Sequence, residues 1–405
     1  MSDQSRSASP IKYTDKPVKA RQYSLGVDDR LCGETASQYV RIYPPDLARI
    51  EDQINYERIG LDYESEDPML PDIPSTYHSM ETPLISLRRT LSLIDPSKEF
   101  LLTYFSTNIA PEMVVIDDDY NGFRYLILPI ACYDELVMDA VLAVSAFHLT
   151  GTVGDHGFTD PNGLYTRTIR RLQGRKDLTD YDLSTQQFLV VAIIVLLVGT
   201  MITASSDFPI VFRLLESALE AMGGELGIGD GELPEFLLRE IRKMRVYAAP
   251  LLSQETGVRD ILSGAEQSFD GLEYYRTLHP DHSSTFELII KIRKQAYNIY
   301  IQRALGTTIN ANAPDESIEW IKGMIESFPD DAPGEQSLVW ASFIAASASY
   351  MPEHQTFFQA FLQRHYLRNK FLNIPKALEL LKRIWSQGTR QNWTLLLPEP
   401  QVFIM

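Results

Sequence analysis

The stretch Phe188-Leu-Val-Val-Ala-Ile-Ile-Val-Leu-Leu-Val198 carries no charged side chain and no proline. A helix built from it is apolar on every face, so it must be buried on all sides, in a protein core or in lipid. The uncharged run extends from Phe188 to Ala204, near the shortest length that crosses a bilayer, and it includes Gly199, Thr200 and Thr203. Its flanks hold Asp180, Asp182 and Asp207 instead of clustered Lys and Arg with aromatic anchors, and no second apolar run of that length stands out. The stretch therefore reads as the central helix of a large core, with a membrane-attached adaptor as an alternative. A short polar turn follows. The next helix is amphipathic, with Val211, Leu215, Ala218 and Met222 in line, and ends at Gly223-Gly224, which can supply a left-handed cap. Together the two predict a helical hairpin.

Outward from the hairpin the pattern stays helical. Ser97 to Ile109 puts Phe100, Leu101, Tyr104 and Phe105 on one face, Phe123 to Leu128 is a short apolar segment, and Asp134 to Leu149 repeats Leu136, Ala140, Val144 and His148 at helical spacing. A helix after Pro161 carries Arg167, Arg170, Arg171, Arg175 and Lys176, read as a solvated face because Asp177, Asp180 and Asp182 dilute any phosphate-binding patch. Leu233 to Ala249 and Thr285 to Leu305 are amphipathic; the second turns Phe286, Ile289, Tyr297, Tyr300 and Ile301 inward and Lys291, Lys294 and Arg303 outward. Between them Gly257 to Ser284 reads as a polar excursion. Asp315 to Phe328, Gln336 to Ser349, Glu353 to Phe371 and Pro375 to Gln387 complete an all-α, irregular array of helical hairpins with no sizeable sheet and no fixed repeat. This helical domain spans residues 96–405. Residues 1–95 read as a largely disordered arm, with basic Lys12 to Arg21, an acidic stretch from Asp46 to Asp67, and prolines that interrupt helices.

At 44% hydrophobic and 22% charged residues over 405 positions, the chain can bury a large core. A net charge of −17 opposes direct contact with phosphate backbones and anionic lipid, so DNA is expected to be reached only indirectly. Cys32 and Cys132 are too few for a disulfide framework or a thiolate metal site, and the opening residues have no apolar signal core, which together place the chain in nucleus or cytoplasm.

Several segments in order carry a family likeness. Leu101-Leu-Thr-Tyr-Phe-Ser106, then Leu126 through Leu149, the hairpin with Phe212-Arg-Leu-Leu-Glu-Ser-Ala-Leu219, and Phe236-Leu-Leu-Arg-Glu-Ile-Arg-Lys-Met244 resemble the fungal-specific transcription factor domain. Leu338-Val-Trp-Ala-Ser-Phe-Ile-Ala-Ala346, Pro375 through Trp385 and Asn392-Trp393 continue it, over residues 98 to 396. The resemblance implies a regulatory domain that mediates dimerisation, effector response or masking of activation. Members usually carry a binuclear zinc cluster ahead of it, built from six thiolates. Two cysteines cannot form that cluster, so the expectation is a nuclear, partner-dependent regulator of metabolic genes. Its partners would be zinc-cluster transcription factors or a second copy, with a possible small-molecule effector, no cofactor, no metal and no catalytic residue.

A competing chemistry lies in Asp117-Asp118-Asp119-Tyr120-Asn121, since paired carboxylates in a helical acidic protein can hold magnesium against a diphosphate, as in terpene synthases. The expected second motif is poor, because Asp260, Ser263 and Glu266 lack the required spacing, and an acidic turn capping the next helix explains the triplet. His148 lies on an apolar stripe without a second ligand and reads as a satisfied core residue; His156, His279, His282, His354 and His365 are scattered. Gly223 to Gly231 is glycine-rich but acidic, which is wrong for a phosphate cradle. Trp340, Trp385 and Trp393 read as core anchors.

Overall fold

Four of the early helices begin at an aspartate whose carboxylate takes backbone N–H groups that the helix itself leaves open. Asp95 accepts from Ser97 at 2.8 Å, Asp134 from Leu136 and Val137 at 2.9 and 3.0 Å, Asp160 from Gly163 at 2.9 Å and Asp182 from Thr185 at 2.7 Å. The computed structural model describes residues 95–154, 160–175, 178–306, 313–329, 332–387 and 392–405. Among the described residues it contains α-helices, short 3-10 and π turns, and no strand. The N-terminal arm, including Cys32 and the basic run Lys12 to Arg21, lies outside them, as do His156 and Lys176.

Helix α1 (Pro96–Tyr104) passes through two π-helical turns, Phe105–Ile109 and Phe123–Ile127, to α2 (Leu128–Tyr133) and α3 (Glu135–Val153). Then come α4 (Pro161–Gly174), α5 (Leu183–Thr203) and α6 (Phe208–Ala221). In α5 every residue from Leu189 to Ile202 is buried, as its lack of charge demands. It lies along α3, which is itself buried from Leu136 to Ala146. The two approach so closely that a Cβ at Gly199 would sit 2.9 Å from Val144 Cγ2. The anticipated hairpin is present: α5 ends with Ala204 in the left-handed region at φ 52°, and α6 folds back on it. α6 closes with Gly223 N–H on Glu220 O and Gly224 N–H on Leu219 O, both glycines at positive φ.

α7 (Glu232–Leu252), α8 (Gln254–Gly264), α9 (Asp270–Leu278) and α10 (Ser283–Leu305) follow, and then α11 (Ala313–Glu326), α12 (Val339–Ala348), α13 (Pro352–Asn369) and α14 (Asn373–Gln387). Helix α12 is buried along its whole length beneath α10, α13 and α14. The irregular end returns to the N-terminal half, where Phe403 stacks on Phe208 with ring centroids 4.9 Å apart and planes 2° from parallel. Leu372 N–H also reaches Ile202 O at 3.1 Å, and Gln336 Nε2 donates to Val114 O at 2.7 Å, so both halves share one core.

Three expectations are corrected. Gly257 to Ser284 is not a polar excursion but contains most of α8 and all of α9. Ser253 caps α8 by accepting from Thr256 N–H at 3.0 Å, and Gly257 stands where α8 crosses α10, with the Tyr300 hydroxyl in the place a side chain would need. The glycine is there for close packing. The basic face of α4 is not simply solvated: Arg167 and Arg171 donate to Asp139 of α3 at 2.9 and 2.7 Å, and Arg175 to Asp134 at 2.7 Å. Finally, α3 is a second helix long and apolar enough to cross a membrane despite Asp139. In both helices most of the apolar window is covered by the fold, 83% for α5 and 67% for α3, which marks them as core helices.

Candidate functional site

A cavity of about 70 Å³ lies between α7, α9, α10, α14 and the segment 112–115. From α7 come Arg239, Glu240, Lys243 and Tyr247, brought to one side by the three-to-four-residue spacing of helical neighbours. From α10 comes Arg293, which sits on the buried stripe of Ile289, Tyr297 and Tyr300 and is only 4% exposed. Apolar wall is supplied by Leu272, Val339, Phe371, Ile374 and Met405 among others.

The charges of this wall are largely matched within the protein. Lys243 Nζ lies 2.7 Å from Glu240, Arg239 lies 3.7 Å from Glu235, and Glu112 takes Arg368 at 3.1 Å. Arg293 is different. Its Nε and Nη2 share one acceptor, Ser337 O, at 3.3 and 3.0 Å, and its guanidinium lies 5.5 Å from the Tyr247 ring centroid. Tyr247 stacks on Trp340 at 5.0 Å, Tyr297 meets the same indole edge-on at 5.3 Å, and Trp340 Nε1 donates to Tyr247 O at 3.2 Å. Burial pushes the Tyr247 phenol up against the opposing pull of Arg293, and it pushes Tyr297 well up too, so both hydroxyls stay protonated at neutral pH.

The residues singled out in the sequence have other duties. Asp117 accepts from Asn121 Nδ2 at 2.8 Å and Arg124 Nη2 at 2.9 Å, Asp118 accepts from Tyr120 N–H at 2.8 Å and lies 2.6 Å from His279, and Asp119 is exposed. The triplet is a structural acidic turn. Asp260 pairs with Arg259 and Glu266 with Lys294. Among the described residues no group of three His, Cys, Asp or Glu side chains is placed to hold a metal ion. His148 is a satisfied core histidine: Tyr104 Oη lies 2.9 Å from its Nδ1, and its Nε2 lies 2.6 Å from Asn369 O. In the loop after α6, Glu225 is clamped by Arg242 at 2.7 Å and Arg245 at 2.6 Å, which fixes the turn and leaves no phosphate cradle. Trp340 and Trp393 are buried, and the half-buried Trp385 donates to Ala346 O at 2.8 Å. Cys132 is half-buried, and burial pushes its thiol up, away from reactivity.

Arg293, Glu240 and Tyr247 were not singled out by sequence reasoning. For Arg293 a signal existed, because it stands four residues from both Ile289 and Tyr297 on an otherwise apolar face.

A buried helical array around a small charged cavity is the setting for the comparison with known proteins. The family model described as the fungal specific transcription factor domain matches residues 100–243 and 237–396. The chain belongs to this family. No curated protein and no solved structure matches it. Membership makes the helical region a domain of transcriptional regulators, with the nuclear role that such a family has in general.

Proposed function

We propose that the chain regulates transcription of fungal metabolic genes through contacts of its helical domain, and that it reaches DNA through a partner. The observation that carries this is the family match across residues 100–396, joined to a charged cavity at the meeting place of the two halves. An effector held there would bind one packing of α7, α10 and α14 better than another, and so expose or mask a contact surface. Net charge −17 and two cysteines in the sequence support partner-dependent DNA contact, with a zinc-cluster transcription factor or a second copy of the chain supplying the base-reading part.

Chromatin association profiled with and without co-expressed zinc-cluster proteins tests this. Occupancy that rises on co-expression supports the reading. Equal occupancy in a strain without those partners, or a transcript that encodes an in-frame six-cysteine segment upstream, replaces partner dependence with direct binding.

A further inference from the structure

Arg293 is a buried cation that makes no direct ion pair within the protein. Among the described residues its guanidinium has no carboxylate at ion-pair distance, while Lys243, Arg239 and Glu112 in the same wall each have an opposite partner. A guanidinium carries five N–H donors in a planar fork, and the single carbonyl of Ser337 cannot satisfy them. Isolated buried charge is strongly unfavourable, and a planar carboxylate is the acceptor that matches the fork two bonds at a time.

The rest of the cavity narrows the choice. Leu272, Val339, Phe371, Ile374 and Met405 give it an apolar flank, and Glu240 and Glu112 also face it, so a monoanion with an aliphatic body fits where a phosphate dianion does not. One water needs about 10–15 Å³ on the same measure, so 70 Å³ corresponds to about five to seven waters, which points to a small acid with a short hydrocarbon tail.

We infer that this cavity binds a short-chain aliphatic carboxylate, held by its carboxylate on Arg293 and by its hydrocarbon against the α9, α12 and α14 side chains. The inference rests on the regulatory reading above and names the effector class for it.

The test is calorimetric titration of the full chain with acetate, butanoate, hexanoate and decanoate, alongside butanamide, hexanamide and inorganic phosphate. Butanoate or hexanoate binds saturably and at least tenfold more tightly than the amide of the same shape, acetate is weaker, and decanoate gains nothing over hexanoate. Arg293→Met loses at least tenfold in affinity. Because Arg293 also secures Ser337, Arg293→Lys is made beside it and, with the charge kept but the fork lost, binds more weakly than the wild type and more tightly than Arg293→Met, while Val339→Phe fills the space and abolishes binding with Arg293 in place. The inference is overturned by no saturable binding of any acid at millimolar concentration, by equal affinity for the amides, by preference for phosphate, or by folded Arg293→Met and Val339→Phe proteins that bind like the wild type. A reporter assay separates this from the parent reading. Transcription that responds to the chain without carboxylate binding defeats the effector class alone, whereas carboxylate binding without any transcriptional response keeps the site and defeats the regulatory role.

Discussion

His365 of α13 is 1% exposed, and burial together with the charges of Arg368 and Arg364 pushes its imidazole down to about 3, even with Glu335 3.6 Å away. In the unfolded chain the same group titrates near 6.5. Unfolded protein therefore takes up a proton that folded protein refuses, and stability is full above pH 6.5 and falls as pH drops from there toward 3, by up to about 1.4 kcal/mol per unit. His148 is lowered in the same direction by its own burial, so the two add. Urea unfolding at pH 7.5, 6 and 5 should show this slope, and His365→Gln should flatten it; an unchanged slope would show that His365 is not the responsible group. Ala204 offers a second residue-level outcome. It holds a left-handed conformation in which its Cβ crowds the backbone, so Ala204→Gly should raise stability by about 1 kcal/mol, read from the denaturation midpoint at constant m-value. Neither residue was legible in advance. The polar turn after α5 was, but its left-handed residue was not, because nothing in Thr-Ala-Ser-Ser distinguishes which position turns.

Between elements, the pairing of α3 with α4 and α5 carries the most information. Asp139 has a side chain only 6% exposed, whereas Arg167 and Arg171, which contact it, are 47% and 38% exposed. The sides of this cluster are thus unequal. Removing the acid, as in Asp139→Ala, releases two arginines that can return to water and should cost about 1 kcal/mol, the scale of an exposed ion pair. Removing both arginines, as in Arg167→Met with Arg171→Met, strands a buried carboxylate and should cost about 3–5 kcal/mol. Guanidinium titrations of the single and double variants decide it; equal losses would mean that the cluster is solvated in the way its sequence first implied. The contact of α3 with α5 is tested by Gly199→Val, whose new methyls would meet Val144 and should destabilise by about 1–3 kcal/mol through overpacking. Helix periods and the α5–α6 hairpin were readable because each is local. The burial of Asp139 was not, since its place on an apolar stripe gains meaning only when α4 lies across it.

At the scale of the molecule, the end of the chain closes the fold. Val402, Phe403 and Ile404 are buried, Phe403 stacks on Phe208, and Asn373 Nδ2 donates to Phe403 O at 3.0 Å. Phe403→Ala should therefore cost about 3–5 kcal/mol and lower the thermal midpoint of the whole helical body in one transition. A loss confined to an early minor transition would show that the tail is a separate unit. The cavity belongs to this scale as well, because its wall joins residues 112–115 to Met405, nearly three hundred positions apart. From the sequence alone came the all-helical class, the order of helix pairs, the buried status of Leu189 to Val198 and the family, because periodic burial is a property of neighbours in the chain. The tertiary structure alone decided that Arg293 is buried without a direct ion pair, that Asp139 receives two arginines and that Phe403 completes the core, because charge balance and packing depend on which distant side chains arrive at the same place.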